Sequence, residues 1–442
     1  MSVYTKQQRI AQLAKEHPEW SLNTLAHMID QEWMHEAYAQ TRKDGAAGVD
    51  GQTAKEYERE LVKNLEDLKE RAKAGTYKAP PVRRVYIPKG TGAEKRPIGI
   101  PTFEDKVLQR AIVMLLEPVY EQDFYDCSYG FRPRRSAHQA LQKLWECLMQ
   151  VGGGWVLEVD LRKYFDTLDH AVLRKILDQR VRDGVVRRLI GKWLKAGVWE
   201  EGQRHEVETG SPQGGVISPL LSNIYLHEAL DKWFETVVKA RLKGRAYLIR
   251  FADDFVMVFE KEEDARRVHQ VLPHRLARYG LTLHADKTRL MHFGSCRQGG
   301  GDPEKGDSSF DFLGFTHFWG KSQKGKPVVQ RKTASKRYRR GLKAIAAWCR
   351  GHLHDPVVEQ HRLLCVKLRG HYSYYGITGN YRSLHRFKKE TERIWRKWLN
   401  RRSLKRAMPW ERFARLIQFL PLPAARVVHS VYQQHSQLSF CL

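Results

Sequence analysis

Two aspartates stand side by side inside an apolar run, Arg250-Phe251-Ala252-Asp253-Asp254-Phe255-Val256-Met257-Val258-Phe259. Aspartate is depleted in strands, and burying an unpaired carboxylate costs several kcal/mol. Such a pair calls for a compensating cation. The pattern predicts two short strands, roughly 246–251 and 255–259, joined by a hairpin turn at Ala252-Asp253-Asp254 that aims both acids at one sheet edge. A second run of the same kind, Trp155-Val156-Leu157-Glu158-Val159-Asp160, ends in an acid. A strand-end Asp160 beside a hairpin Asp253-Asp254 is the arrangement that holds two Mg²⁺ ions about 3.5–4 Å apart for phosphoryl transfer. The plainer alternative is a set of turn and capping acids.

These strands need a frame. Val82–Lys89 and Lys95–Pro101 read as two strands around Gly90-Thr91-Gly92, another hairpin, and Glu104 to Tyr120 as an amphipathic helix. Ahead of them lie helices over residues 1–40, the Gly/Asp-rich loop Asp44–Gly51, and a helix from about Thr53 to Lys73. After Asp160 come helical patterns to Lys195, the loop Gly210–Gly215, a long helix from Pro219 to Phe234, and a helix from Lys261 to Tyr279. A strand at Leu290–Phe293 and hairpin strands within Phe310–Phe318 follow. Beyond Lys321 the pattern reads as wholly helical, in segments about 333–352, 357–375, 381–399 and 410–419.

Charge divides the chain more sharply than hydropathy does. Of 77 Lys and Arg and 50 Asp and Glu, residues 321–442 hold 28 and 5, net +23, which leaves a net +4 for residues 1–320. A basic block of that size repels itself unless it meets a polyanion, and nucleic acid is the usual one. At 442 residues the chain has room for two or three domains. No apolar stretch reaches the ~18 residues of a membrane span, and the N-terminus lacks the apolar core of a signal peptide. Six scattered cysteines without a CxxC pair suit reduced thiols in a cytoplasm. The expected location is cytoplasmic, nucleoid-associated when engaged on DNA.

Taken in order, several of these blocks resemble the reverse transcriptases encoded within group II introns, the intron reverse transcriptase/maturases. The matching segments are Asp44–Gly51, Arg96–Pro101, Tyr129-Gly130-Phe131-Arg132-Pro133, Asp160–Phe165, Ser211-Pro212-Gln213-Gly214, Phe251–Asp254, Leu281–Thr288 and Phe312-Leu313-Gly314-Phe315. One tetrapeptide alone is weak evidence; eight in family order are strong. The resemblance implies an α+β right-hand polymerase. Residues 1–80 would be an N-terminal extension and fingers lead-in, 81–320 a fingers-palm domain with an antiparallel sheet packed by helices, and 321–442 a helical, basic thumb that doubles as the maturase (X) domain. Where Phe251 stands the family more often has Tyr. The chain stops at Leu442 before any HNH-type endonuclease with paired Cys and His ligands, so it resembles the compact branch of the family.

The same resemblance implies roles residue by residue. Asp160, Asp253 and Asp254, with the Leu161 backbone carbonyl, would coordinate two Mg²⁺ ions; the acidic neighbours Glu158 and Asp166 stay outside that shell. Lys89 and Arg96 would face the incoming dNTP triphosphate, against the alternative of an ordinary exposed basic hairpin. Phe165 resembles a steric gate against a ribose 2′-hydroxyl, although its apolar character alone reads as core. Gln213 would meet the minor-groove edge of the nascent pair, and Gly214 would let the backbone approach a base pair. Lys287 would protonate pyrophosphate or contact primer, unless it is a plain surface lysine. Arg83, Arg84, Arg132, Arg134 and Arg135 fall along the expected template track. Arg369, Arg382, Arg386, Lys388, Arg393, Arg396 and Lys397 are expected to contact duplex backbone and intron RNA. Trp395 and Trp398 among them are more often helix core than base-stacking platforms. The expected partners are group II intron RNA, an RNA template with DNA primer, target DNA and dNTP, with no membrane. The expected activity is RNA-directed DNA polymerisation together with assistance to splicing and reverse-splicing mobility. Two alternatives are a host-adopted relative in repair or defence, and a splicing-only RNA-binding cofactor.

Overall fold

The side-chain alternation that marks the strands also sets the sheets of the computed structural model, which describes residues 1–88, 95–206, 210, 214–294, 309–322, 324–402 and 408–430. Lys89, Ser211 to Gln213, and residues 295–308 lie outside the described residues. The chain packs as two units. One comprises Met1–Ala140 with Gly154–Leu290, the other Leu141–Gly153 with Met291–Leu442. The packing boundary at 290/291 therefore precedes the charge boundary near 320.

In the first unit, the strands Val82–Pro88 (β1) and Lys95–Ile100 (β2) pair antiparallel. Farther along come Trp155–Val159 (β3), the short Val198–Glu200 (β4) and Gln203–His205 (β5), then Ala246–Phe251 (β6), Asp254–Phe259 (β7) and Arg289–His292 (β8). One sheet has the order β2-β1-β4-β5, the other β6-β7-β3-β8. The second matters most here. β7 lies central, antiparallel to both β6 and β3, with Val256, Met257, Val258 and Phe259 all buried. A strand covered on both faces loses the polar alternation of a half-exposed one, which is why 255–259 reads as a continuous apolar run. Behind the sheets, the helix Phe103–Asp123 carries thirteen buried positions on most of its circumference. Thr102 starts it, its hydroxyl accepting from the Asp105 amide. The helix expected over 53–73 is instead two pieces, Ala54–Glu58, opened by a Thr53–Glu56 capping box, and Leu61–Ala74.

The second unit combines the sheet Ser309–Phe312 (β9), Phe315–Lys321 (β10) and Pro327–Thr333 (β11), in the order β11-β10-β9, with helices Ser335–Gly351, Val357–Tyr375, Tyr381–Leu399 and Trp410–Phe419. The last strand corrects the expectation that the chain is wholly helical beyond Lys321. Val328 and Val329 are β-branched, and the whole of β11 pairs with β10 in register from Phe315↔Thr333 to Lys321↔Pro327. The helices close on a core of Leu364, Leu368, Tyr372, Leu384, Phe387, Trp395 and Phe413. Trp395 is fully buried, its indole N–H donating to Gln360 Oε1 at 2.9 Å, and Trp398 packs against the same core. Among the described residues, no helix is long and apolar enough to cross a membrane.

Candidate active site

The turn between β6 and β7 has two residues, Ala252 and Asp253, closed by the Phe251↔Asp254 pair. Ala252 holds φ 56°, a left-handed conformation that a residue with a Cβ rarely takes. The surroundings that hold it there begin with Arg250, whose side chain is fully buried. Its guanidinium donates to Asp231 Oδ1 (2.8 Å) and Oδ2 (2.5 Å), Asn223 Oδ1 (2.9 Å), Ser128 Oγ (2.8 Å) and the Ala252 carbonyl (3.0 Å). All five N–H donors of the side chain are used. Burial works against the charge and the Asp231 carboxylate outweighs it, so the guanidinium stays firmly protonated. Asp231 arrives on a wide π-helical turn, His227–Asp231, that continues the helix Ser218–Leu226. From the other side the backbone of Gly130 is pressed onto the turn: a Cβ there would sit 2.3 Å from Ala252 N and 2.9 Å from Phe251 C. Asn223 Nδ2 donates to the Gly130 carbonyl at 2.7 Å, locking the two loops together.

Asp160 follows β3, which is paired with β7 from Trp155↔Phe259 to Val159↔Phe255. That register brings the end of β3 to the start of β7. The segment Leu281–Thr288 then docks beside it: the Arg162 amide donates to the Thr282 carbonyl, and the His284 amide to the Asp160 carbonyl. Leu161 and Leu283 face each other in this bridge, whose bonds leave the Leu161 carbonyl out. Burial pushes the Asp253 carboxyl upward; its own backbone amide pulls down, the charge of Asp160 pushes up again, and Arg96 and Arg250 pull down. Asp253 is thus within electrostatic reach of both Asp160 and Arg96. Lys287 reaches the same place, its ammonium donating to Asp160 Oδ2 at 2.5 Å.

As placed, the three aspartates do not close into a cage. Among the described residues no three His, Cys, Asp or Glu side chains stand together closely enough to hold an ion. Asp254 is exposed at the start of β7, and Asp160 is engaged by Lys287. The donor chemistry nonetheless fits a hard divalent cation. Every candidate ligand is an oxygen, and the partly buried Asp253 carries a charge that Asp160 opposes. Glu158 stands apart, its Oε2 accepting from Arg289 Nε at 2.6 Å.

Comparison with known proteins is decisive for the family. The sequence profile described as "Reverse transcriptase (RNA-dependent DNA polymerase)" matches residues 87–317, more than half of the chain. This chain belongs to the reverse transcriptase family. It is 36% identical over 329 residues to protein YkfC of Escherichia coli (strain K12), a match covering 66% of this chain and 85% of YkfC. It is 44% identical over 188 residues to the group II intron-encoded protein LtrA of Lactococcus lactis subsp. cremoris, covering 42% of this chain and 30% of LtrA. The nuclear intron maturase 2, mitochondrial, of Arabidopsis thaliana is 31% identical over 175 residues, covering 31% of this chain and 24% of the relative. The reverse transcriptase is thus homologous to group II intron-encoded proteins and intron maturases.

Around the turn of this reverse transcriptase, the other expected residues sort by their partners. Phe165 is half-buried in a 3₁₀ turn after Asp160, packed against the core and edge-on to Tyr164 at 5.3 Å. Gly214 meets a protein neighbour closely. A Cβ there would lie 2.4 Å from the Gly99 carbonyl of β2, so the protein's own backbone is one neighbour that requires a glycine at this position. Arg132 corrects an expectation. It is buried and not on an exposed track, paired with Glu121 (3.0 Å) and donating to the carbonyls of Tyr125 and Ser128, so it braces the loop before Gly130. Arg135 pairs with Asp126, Arg84 with Glu200, and Arg83 donates twice to the Ala47 carbonyl; Arg134 is exposed. In the second unit, Arg369, Arg382, Arg386 and Lys397 are exposed and in no ion pair among the described residues. Lys388 and Arg393 pair with Glu392 and Glu390, and Arg396 lies 3.9 Å over the Trp410 ring.

Proposed function

We propose that this protein is an RNA-directed DNA polymerase of a mobile group II intron, binding the intron RNA and assisting its splicing and reverse splicing. The observation that carries the reading is the convergence of Asp160, Asp253, Arg96 and Lys287, from four separate segments, on one turn. In the right-hand arrangement proposed, residues 81–320 form fingers and palm, 1–80 lead into the fingers, and 321–442 form a basic thumb and maturase domain. Asp160, Asp253 and Asp254, with the Leu161 carbonyl, would hold two Mg²⁺ ions. Bound there, the ions would supply activation of the primer 3′-hydroxyl and neutralisation of the leaving pyrophosphate.

The chain's own residues do the rest. Arg96 orients the triphosphate from the β2 side as a bidentate cation, with Lys89, seven residues earlier, adding a point charge. Lys287, released from Asp160 when cations arrive, is placed to give a proton to pyrophosphate. Phe165 offers its ring edge to the sugar, and Gln213 its amide to the nascent pair. Arg369, Arg382, Arg386 and Lys397, carrying no counter-charge among the described residues, meet RNA and duplex phosphates. The decisive experiment is primer extension on an RNA template with dNTPs and Mg²⁺. Full-length cDNA is expected. No cDNA from a protein that still promotes splicing would reduce it to an RNA-binding cofactor.

Gly130→Ala provides an independent check on the geometry. The new methyl meets backbone atoms of the Asp253 turn that cannot give way, and displacing reacting groups by about 1 Å costs on the order of 10²-fold in rate. Primer extension is expected to fall by that order. Gly370→Ala, in a helix where nothing lies within 4 Å, is expected to leave it unchanged.

A further inference from the structure

The first unit carries a basic surface built from elements other than those of the aspartate site. A groove of about 620 Å³ runs between the end of helix Leu61–Ala74, helices His170–Arg180 and Gly184–Leu194, and β5. Lys78, Arg174, Arg188, Lys192, Lys195 and Arg204 line it, and no carboxylate does among the described residues. None of the six is in an ion pair among the described residues. The bonds they make go to neutral carbonyls: Lys192 Nζ to Gly75 (2.6 Å) and Tyr77 (2.5 Å), Arg188 Nη2 to Lys73 (3.3 Å), and Arg204 Nη2 to Ala196 (3.3 Å). Such bonds fix a cation without cancelling its charge.

The groove has a firm base and a defined spacing. Tyr77 and Trp193 both donate to the buried Asp105 Oδ1, at 2.7 and 2.5 Å, and Gln109 Nε2 donates to Oδ2 at 3.0 Å. Arg188 and Lys192 stand at i and i+4 on one helix face, and Lys195, the residue that caps the helix, follows three positions on, a stripe of about 10 Å. At roughly 3.4 Å of axis per phosphate along one strand, that stripe matches about three phosphates. Six like charges in one concavity repel each other until a polyanion fills it. Tyr77 is buried, so among the described residues the groove presents no exposed ring on which an unpaired base could stack. That favours the backbone of a folded, double-stranded RNA over single-stranded bases.

We propose that this groove is a second RNA-docking surface, gripping the phosphate backbone of a structured RNA independently of the basic helices at the chain's other end. It rests on the RNA-binding reading above. The test uses the full chain and a blunt RNA hairpin, with affinity followed by fluorescence anisotropy across a KCl series. In the Arg174→Gln/Arg188→Gln/Lys195→Gln variant, affinity should weaken, and the slope of log Kobs against log salt should become shallower by about 2–3. The charge-keeping Arg174→Lys/Arg188→Lys variant should retain the wild-type slope, which separates loss of charge from loss of fold. An unchanged slope in the triple variant, or an equal loss in the charge-keeping one, would overturn the proposal. So would polyglutamate binding the wild type more tightly than the hairpin does and losing that affinity in the triple variant, which would assign the groove to an acidic protein. Binding is read without catalysis, so a protein that makes no cDNA would sink the polymerase reading and leave this result standing.

Discussion

Asp253→Ala is expected to abolish primer extension while leaving RNA affinity within about twofold of wild type. A pair of metal ions contributes several kcal/mol of charge stabilisation, and a loss of ~4 kcal/mol is ~10³-fold in rate. Asp253 is the suitable target because burial, and after it the charge of Asp160, pushes its carboxyl upward, so its ionised form gains from a cation. Removing it changes one partly buried side chain in the turn and none of the exposed cations proposed to meet RNA. Asp160→Ala carries a second consequence, since it also frees Lys287 from its 2.5 Å bond. Steady-state extension and a separate binding titration on the same preparation resolve the two functions. Wild-type rates in the Asp253 variant would refute the metal assignment, and parallel loss of RNA binding would refute the division of labour.

The aspartate turn was legible because its information is local: two apolar runs, an acidic interruption, and the observed strands Ala246–Phe251 and Asp254–Phe259 within one residue of expectation. The hairpin of β1 and β2 and the four helices after Ser335 were legible for the same reason. Three-residue strands such as Val198–Glu200 have no period to detect. What failed was inference about orientation. Arg132 sits in an Arg-rich stretch that reads as a surface track, yet Glu121, eleven residues earlier, draws it inward. Gly214 signals a close approach, and the fold supplies one such neighbour in the Gly99 carbonyl, which no local pattern points to. The network around Arg250 was missed altogether. Its one sequence signal is an arginine inside an apolar strand; its partners Ser128, Asn223 and Asp231 are distant in the chain and meet only in the folded core.

That network sets the second large effect. Arg250→Met leaves Asp231 fully buried with no cation, and breaking a buried pair in this way costs about 3–5 kcal/mol. Thermal unfolding of the first unit is expected to drop by roughly 10 °C. Stability and activity should then separate in the double variant Arg250→Met/Asp231→Leu. Replacing both partners by apolar side chains of similar volume removes the stranded charge, and such replacements are often neutral or stabilising by about 1–4 kcal/mol. The melting temperature should therefore recover most of the loss. Primer extension should not, because the Ala252 carbonyl no longer receives its hydrogen bond from residue 250, one of the contacts that hold this alanine in its left-handed conformation. Arg250→Lys falls between: it keeps the charge beside Asp231, but three donors cannot serve five acceptor positions. If the double variant extended primers at the wild-type rate, Arg250 would be a stabilising residue and nothing more. If instead it melted like the wild type and made no cDNA, the buried guanidinium would be what aims Asp253.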